Sequence, residues 1–139
     1  MEMNGAPEGE LFDVTVLPDE ELVTFAVVGS SELNDIFSEA HSKIQSSKAT
    51  WGDRYAFVEI IRSIVLHRTD FINQEILDTM VRAANSSVES LRSSEIRNGV
   101  LALRNIITKC FNSINSADMS VSFGLLVSKA SSGPKFICK

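Results

Sequence analysis

From residue 30 onward, apolar residues recur three and four positions apart, the spacing that lines one face of an α-helix. Leu33, Ile36, Phe37, Ala40 and Ile44 make the first such face, behind a Ser30 or Ser31 able to cap a helix start. Ser46 and Ser47 interrupt it. Thr50 and Asp53 then form a T-x-x-D capping box, in which each side chain satisfies the other's free amide, so a second helix is predicted to begin there. Its stripe of Trp51, Tyr55, Val58, Ile61 and Val65 is widened by Phe57, Ile60 and Ile64, a breadth that implies burial on two sides. A third stripe holds Ile76, Leu77, Met80, Val81, Ala84 and Val88, and a fourth holds Ile96, Val100, Leu103, Ile107, Cys110 and Ile114. A last helix is expected over about 117–130, with Met119, Phe123, Leu126 and Ala130 on its face and Gly124 weakening it. The fold class expected is all-α.

Ahead of these helices the chain reads differently. Gly5, Pro7, Gly9 and Pro18 punctuate an acidic stretch, and "EELVTFAVVG" fits strand or helix equally by pattern. The expected organisation is an acidic, partly disordered leader over 1–29, helical repeats over 30–130 and a tail over 131–139.

The stripes themselves repeat. Sliding "FVEIIRSIV" forward by 42 residues lays it on "GVLALRNII", so that Val58 falls on Val100, Ile61 on Leu103, Arg62 on Arg104 and Val65 on Ile107. A period of about 40 to 47 residues built from helix pairs is that of HEAT and armadillo arrays, and the chain holds about two to three such pairs. Arginine at the same point of each stripe, on a face otherwise apolar, is expected to tie neighbouring helices together.

"TWGDRYAFVEIIRSIV" resembles the W-x-x-R-x-x-A-L-x-x-I-R-x-L signature of TOG domains, HEAT-repeat modules that bind tubulin, and is most similar to those of CLASP-type microtubule regulators. "SLRSSEIRNGVLALRNI" is similar to the D-L-R-S-x-x-x-R-x-A motif that follows one repeat later. The matched positions are Trp51, Arg54, Ile61 and Arg62, then Leu91, Arg92, Ser93 and Arg97; Phe57 and Gly99 depart from the pattern. The resemblance runs from about residue 30 to 130. It implies an α-solenoid in which the loops within each helix pair align along one edge, and that edge meets tubulin. Carried onto this chain, the edge comprises residues 46–54, 88–97 and 129–136. Lys48 and Trp51 would lie on the first loop, Arg92 and Arg97 on the second, Lys129 and Lys135 on the third. Two placements of Trp51 satisfy the sequence: an exposed anchor for a partner, or a residue folded onto Tyr55 and the preceding helix. Arg92 and Arg97 have a plainer alternative too, as solvated arginines or partners of Glu89 or Glu95.

Charge sharpens this picture. Residues 1–50 set ten acidic residues against Lys43 and Lys48, whereas residues 51–139 set eleven Lys and Arg against eight acids. General nucleic-acid binding is not expected of a chain with net charge −5, but its second part suits an acidic partner such as tubulin. A content of 44% hydrophobic residues fits a folded globular chain, and no apolar run reaches the roughly 20 residues a bilayer span requires. Acids stand where a signal peptide would carry its basic region. Cys110 and Cys138 make no disulfide or metal framework, so a cytoplasmic setting is expected, with the cytoskeleton added by the resemblance.

Catalytic chemistry finds no foothold. His41 and His67 stand on separate helical segments, and no H-E-x-x-H, G-x-S-x-G, P-loop or G-x-G-x-x-G occurs. Asp53, Glu59 and Glu95 read as helix caps or surface acids. No cofactor or metal is expected. The function expected is therefore non-catalytic binding, with tubulin or microtubules at the loop edge. The alternative is a generic armadillo or HEAT scaffold that takes a protein or peptide in its groove. By the 42-residue period the last repeat lacks its second helix, so self-association through the C-terminal end, or a longer parent array, is also expected.

Overall fold

The computed structural model describes residues 15–132, and these build five α-helices and no strand. The helices are α1 (Ser30–Gln45), α2 (Trp51–His67), α3 (Gln74–Val88), α4 (Ser93–Cys110) and α5 (Ser116–Ser132). Single turns of 3-10 helix lie at Asp19–Glu21, Thr69–Phe71 and Phe111–Ser113. Among the described residues no helix is long and apolar enough to cross a membrane.

Local chemistry explains where the helices start. Thr50 Oγ1 accepts from the Asp53 amide at 3.2 Å while Asp53 Oδ2 accepts from the Thr50 amide at 3.0 Å, which closes the expected capping box. Asn73 Oδ1 caps α3 by accepting from the Ile76 amide at 2.9 Å, and Asn115 Oδ1 does the same for α5 at Ala117. For α1 the cap position falls on Gly29, one residue before the expected serines, and it offers no side chain.

α2 is the central helix. Phe57, Ile61, Ile64 and Val65 are fully buried along it, and they join Leu33 and Phe37 of α1, Leu77, Met80 and Ala84 of α3, and Ala102, Leu103 and Ile106 of α4 in one core. Burying each large side chain contributes about 1.5–3 kcal/mol, which is why one continuous cluster can order α1–α4, with Leu125 and Leu126 of α5 packed at its margin. Phe57, a departure from the TOG pattern, fills the α1–α2 junction: its ring lies 5.2 Å from that of Phe37 and 5.5 Å from His41. His41 is accordingly a half-buried packing residue.

Side-chain pairs give the helix directions. Arg54 approaches Glu95 at 3.6 Å and, further along both helices, Asn98 Nδ2 donates to the Tyr55 carbonyl and Arg62 to Asn98 Oδ1, so α2 and α4 run parallel. Arg82 meets Asp118 at 3.8 Å and Ser122 Oγ donates to Asn85 Oδ1 at 2.8 Å, so α3 and α5 also run parallel. α3 and α4 are antiparallel, with Gln74 reaching the Ser113 carbonyl at one end and Ser87 the Glu95 carbonyl at the other. At their crossing sits Gly99, the second departure from the pattern. A methyl group there would stand 2.9 Å from Ser87 Cβ and 3.0 Å from the Ala84 carbonyl oxygen. Its lack of a side chain lets the two helices touch.

The segment before α1 is a strap laid across α2 and α4. Leu22 is buried, and Asp19 sits against the repeat-related arginines. Arg62, with no exposed surface, donates to Asn98 Oδ1 at 2.9 Å, to the Leu17 carbonyl at 2.7 Å and to Asp19 Oδ1 at 3.0 Å. It thus ties α2 to α4, as its place on an apolar stripe suggested. Arg104 does not tie helices: it is more than half exposed and reaches Asp19 Oδ2 at 2.7 Å. Burial alone would raise the pKa of Asp19. The hydrogen bonds from Arg62 and Asn105 and the charges of Arg104 and Arg62 outweigh it, leaving the carboxyl below its ordinary value. "EELVTFAVVG", open by pattern, begins in the 3-10 turn and buried Leu22 of the strap and runs on to α1 as irregular backbone, where Arg68 Nη1 donates to the carbonyls of Phe25 and Val28.

Candidate functional site

The parallel packing of α2 on α4 brings the loop before each helix to one end of the molecule. Trp51 opens α2, and Arg92 holds the cap position of α4. Arg92 Cζ lies 3.9 Å from the centre of the Trp51 ring, a guanidinium stacked on an indole face. A contact of this kind contributes about 0.5–2 kcal/mol, more as water is excluded. The same indole meets the Tyr55 ring in a T-shaped contact, at a centroid distance of 6.1 Å and an interplanar angle of 83°. Trp51 is therefore half-buried, with its ring under Arg92 and against Tyr55.

Below this stack lies a buried acid. Glu95 is 3% exposed, and it accepts a short hydrogen bond from Ser90 Oγ and faces Arg54 at 3.6 Å. Glu95 is thus no surface acid, and its nearby cation is Arg54, not Arg92. The first turn of α4 is a favourable place for a carboxylate, since the helix dipole is positive there. Ser90 Oγ also accepts from the Arg92 amide at 3.0 Å, so the loop that carries Arg92 is braced on the same acid. Leu91, at the loop tip, is fully exposed.

Beside the stack a cleft of about 450 Å³ opens between the end of α1 and the end of α3. Ile44, Phe57, Val58 and Ala83 provide its apolar lining, and Trp51 and Arg92 stand on its wall. A preformed flat stack, an exposed leucine and an adjoining apolar cleft are means of binding a partner by contact. Among the described residues no group of three or more His, Cys, Asp or Glu is placed to hold a metal. Cys110 is half-buried, and burial pushes its thiol above the ordinary value, away from nucleophilic character.

The other expected edge residues are placed unequally. Lys48 is exposed in the turn between α1 and α2, its amide donating to Ser46 Oγ. Arg97 is exposed one turn into α4. Lys129 does not lie on a loop: α5 continues through it to Ser132, and its side chain is half-buried. Because α5 runs parallel to α3, Lys129 still lies at the end of α5 nearer the 88–93 loop. Lys135 lies outside the described residues. Arg54, Glu95 and Leu91 belong to the edge yet were not singled out for it. Their signal was available, since Arg54 and Glu95 each follow an edge residue, Trp51 and Arg92, by three positions.

Comparison of the chain with known protein families, characterised proteins and solved structures yields no match.

Proposed function

We propose that this chain is a non-catalytic, HEAT-like binding module that docks on tubulin through the edge carrying Trp51 and Arg92. The observation that carries the reading is the stack of Arg92 on Trp51. Two positions on separate loops, picked out by their likeness to TOG motifs, meet as one rigid amphipathic surface. Parallel packing of α2 on α4 and of α3 on α5 supports a stacked-repeat arrangement, because successive repeats place equivalent helices side by side in the same direction. The basic groups of this end, Lys48, Arg54, Arg92 and Arg97, suit the acidic surface of tubulin and would steer its approach. A cytoplasmic, cytoskeletal setting follows from that partner.

Co-pelleting with microtubules, together with gel filtration against free tubulin, tests the proposal. Tubulin-dependent co-migration that declines as salt rises is the expected result, since exposed charges are screened within about 10 Å at 0.1 M salt.

The cleft between α1 and α3 favours a second reading, a scaffold that takes an apolar peptide segment. Binding of that kind would persist at high salt and would not require tubulin.

A further inference from the structure

A carboxylate held by arginines at the matching point of two stripes, those of α2 and α4, is a recognition geometry, and in this fold its occupant is the chain's own strap. Asp19 Oδ1 accepts from Arg62 at 3.0 Å and from Asn105 Nδ2 at 3.4 Å, while Oδ2 accepts from Arg104 at 2.7 Å. Two residues earlier, the Leu17 carbonyl takes the second bond of Arg62 Nη2 at 2.7 Å; three residues later, Leu22 is buried. Between and beyond these anchors the strap is exposed at Pro18, Glu20, Glu21 and Val23. A segment that makes one 3-10 turn between extended flanks and is held at a carbonyl, a carboxylate and one leucine, with its other side chains in water, is bound as a peptide ligand is bound.

We infer that the α2–α4 face is a binding groove for a short acidic segment of another protein, turned once at its aspartate as the strap is, and that the strap occupies it as an internal stand-in. The pattern recognised is a leucine, an aspartate two positions on and a second leucine three further. The arginines enforce the acid. Arg62 is wholly buried, and its Nε–H has no acceptor among the described residues, so withdrawing the carboxylate strands a buried cation. Any segment that displaces the strap must therefore supply a carboxylate of its own. Arg68 grips the carbonyls of Phe25 and Val28 and so fixes the strap's connection to its own α2. That tether argues for a foreign segment as competitor and against exchange of straps between two copies. This surface is distinct from the Trp51–Arg92 edge, and the two proposals stand or fall separately.

The test uses the full chain with a protease site placed at Ala26–Val27, both exposed. After cutting, the strap should remain with the helices on gel filtration. It should exchange for a labelled peptide of residues 15–24, "TVLPDEELVT". The same peptide with Asn in place of Asp19 should compete at least ~10-fold more weakly, the least loss expected when the shared charge partner of Arg62 and Arg104 is removed. Equal competition by the Asn peptide, or loss of the strap with no rebinding of the Asp peptide, would overturn the inference. Should cutting unfold the helices, the uncut chain serves. There the strap competes at about millimolar effective concentration, so isotope-labelled Asp peptide at millimolar concentration should show intermolecular nuclear Overhauser contacts to the side-chain amides of Asn98 and Asn105, while labelled Asn peptide does not. Absence of those contacts would overturn the inference, as would a strap-exchanged dimer of the uncut chain.

Discussion

Arg62 and Arg104, equivalent positions one 42-residue period apart, grip opposite oxygens of a single carboxylate, that of Asp19. The shared acid joins the segment ahead of α1 to both parallel helices, and it makes stability depend on a residue remote in sequence from the core.

Asp19→Asn should therefore lower stability at pH 7 by about 3 kcal/mol, because Arg62 keeps the Leu17 carbonyl and Asn98 but loses its counter-charge. The effect carries a pH signature. The folded-state pKa of Asp19 is depressed, so its contribution is fully present above the unfolded value of about 3.9 and is lost as pH falls through the folded one. Glu59 acts in the opposite sense. Burial raises its pKa despite the Arg62 charge, so its contribution weakens as pH rises above the ordinary value of 4.5. Denaturant titrations of wild type and Asp19→Asn at pH 7 and pH 3 should show the gap between them closing at the lower pH. A gap of equal size at both would mean that Asp19 acts by packing alone.

At the edge, Trp51→Ala combined with Arg92→Ala should abolish tubulin binding while leaving helix content by circular dichroism unchanged. Both side chains lie outside the buried core, so the fold does not depend on them. Arg92→Lys alone should weaken binding by several-fold, since an ammonium lacks the flat face that stacks on indole. Binding retained by the double variant would move the site to the cleft between α1 and α3.

The core was legible because its signal is local. Helical spacing of apolar residues, the Thr50–Asp53 box and the turn residues marked all five helices to within a few positions, and a parallel helix pair is what a repeated stripe packs into. What could not be read were the contacts that join segments far apart in the chain. Nothing near Asp19 announces two arginines that lie in α2 and α4, and nothing in "EELVTFAVVG" announces that Arg68, just past the end of α2, takes the carbonyls of its Phe25 and Val28. Glu95 reads as a surface acid because Arg54, which the fold brings to it, lies on a different helix. Phe57 and Gly99 read as departures from a family pattern, yet each answers to a neighbour: the rings of Phe37 and His41 for one, the crossing of α3 for the other.

Gly99→Ala tests that crossing. Alanine is favoured over glycine by about 1 kcal/mol within a helix. A methyl group at this position, however, meets Ser87 Cβ at 2.9 Å and the Ala84 carbonyl oxygen at 3.0 Å, closer than such atoms pack. Overpacking of about 1–3 kcal/mol should win, and the variant should melt below wild type. A higher melting temperature would show that α3 and α4 separate at little cost.

Met80→Ala measures the opposite defect. Met80 is fully buried on α3 within the shared core, so truncation leaves a cavity and should lower stability by about 2–5 kcal/mol. Urea denaturation gives the value directly, and a midpoint equal to wild type would place the helix interface elsewhere.

The last prediction concerns α5, which packs against α3 with little of its apolar surface. Leu125 and Leu126 reach the core in part, while Val121, Phe123 and Val127 are about half exposed or more. Phe123 and Val127, four positions apart on one side of the helix, leave an exposed apolar surface of the kind that marks an interface. The chain should therefore self-associate through α5, with apparent mass by light scattering rising with concentration. Phe123→Glu should return it to a monomer without loss of melting temperature, because that side chain makes little of the core. A wild-type chain that stays monomeric at high concentration would show that this face is covered from within the same chain.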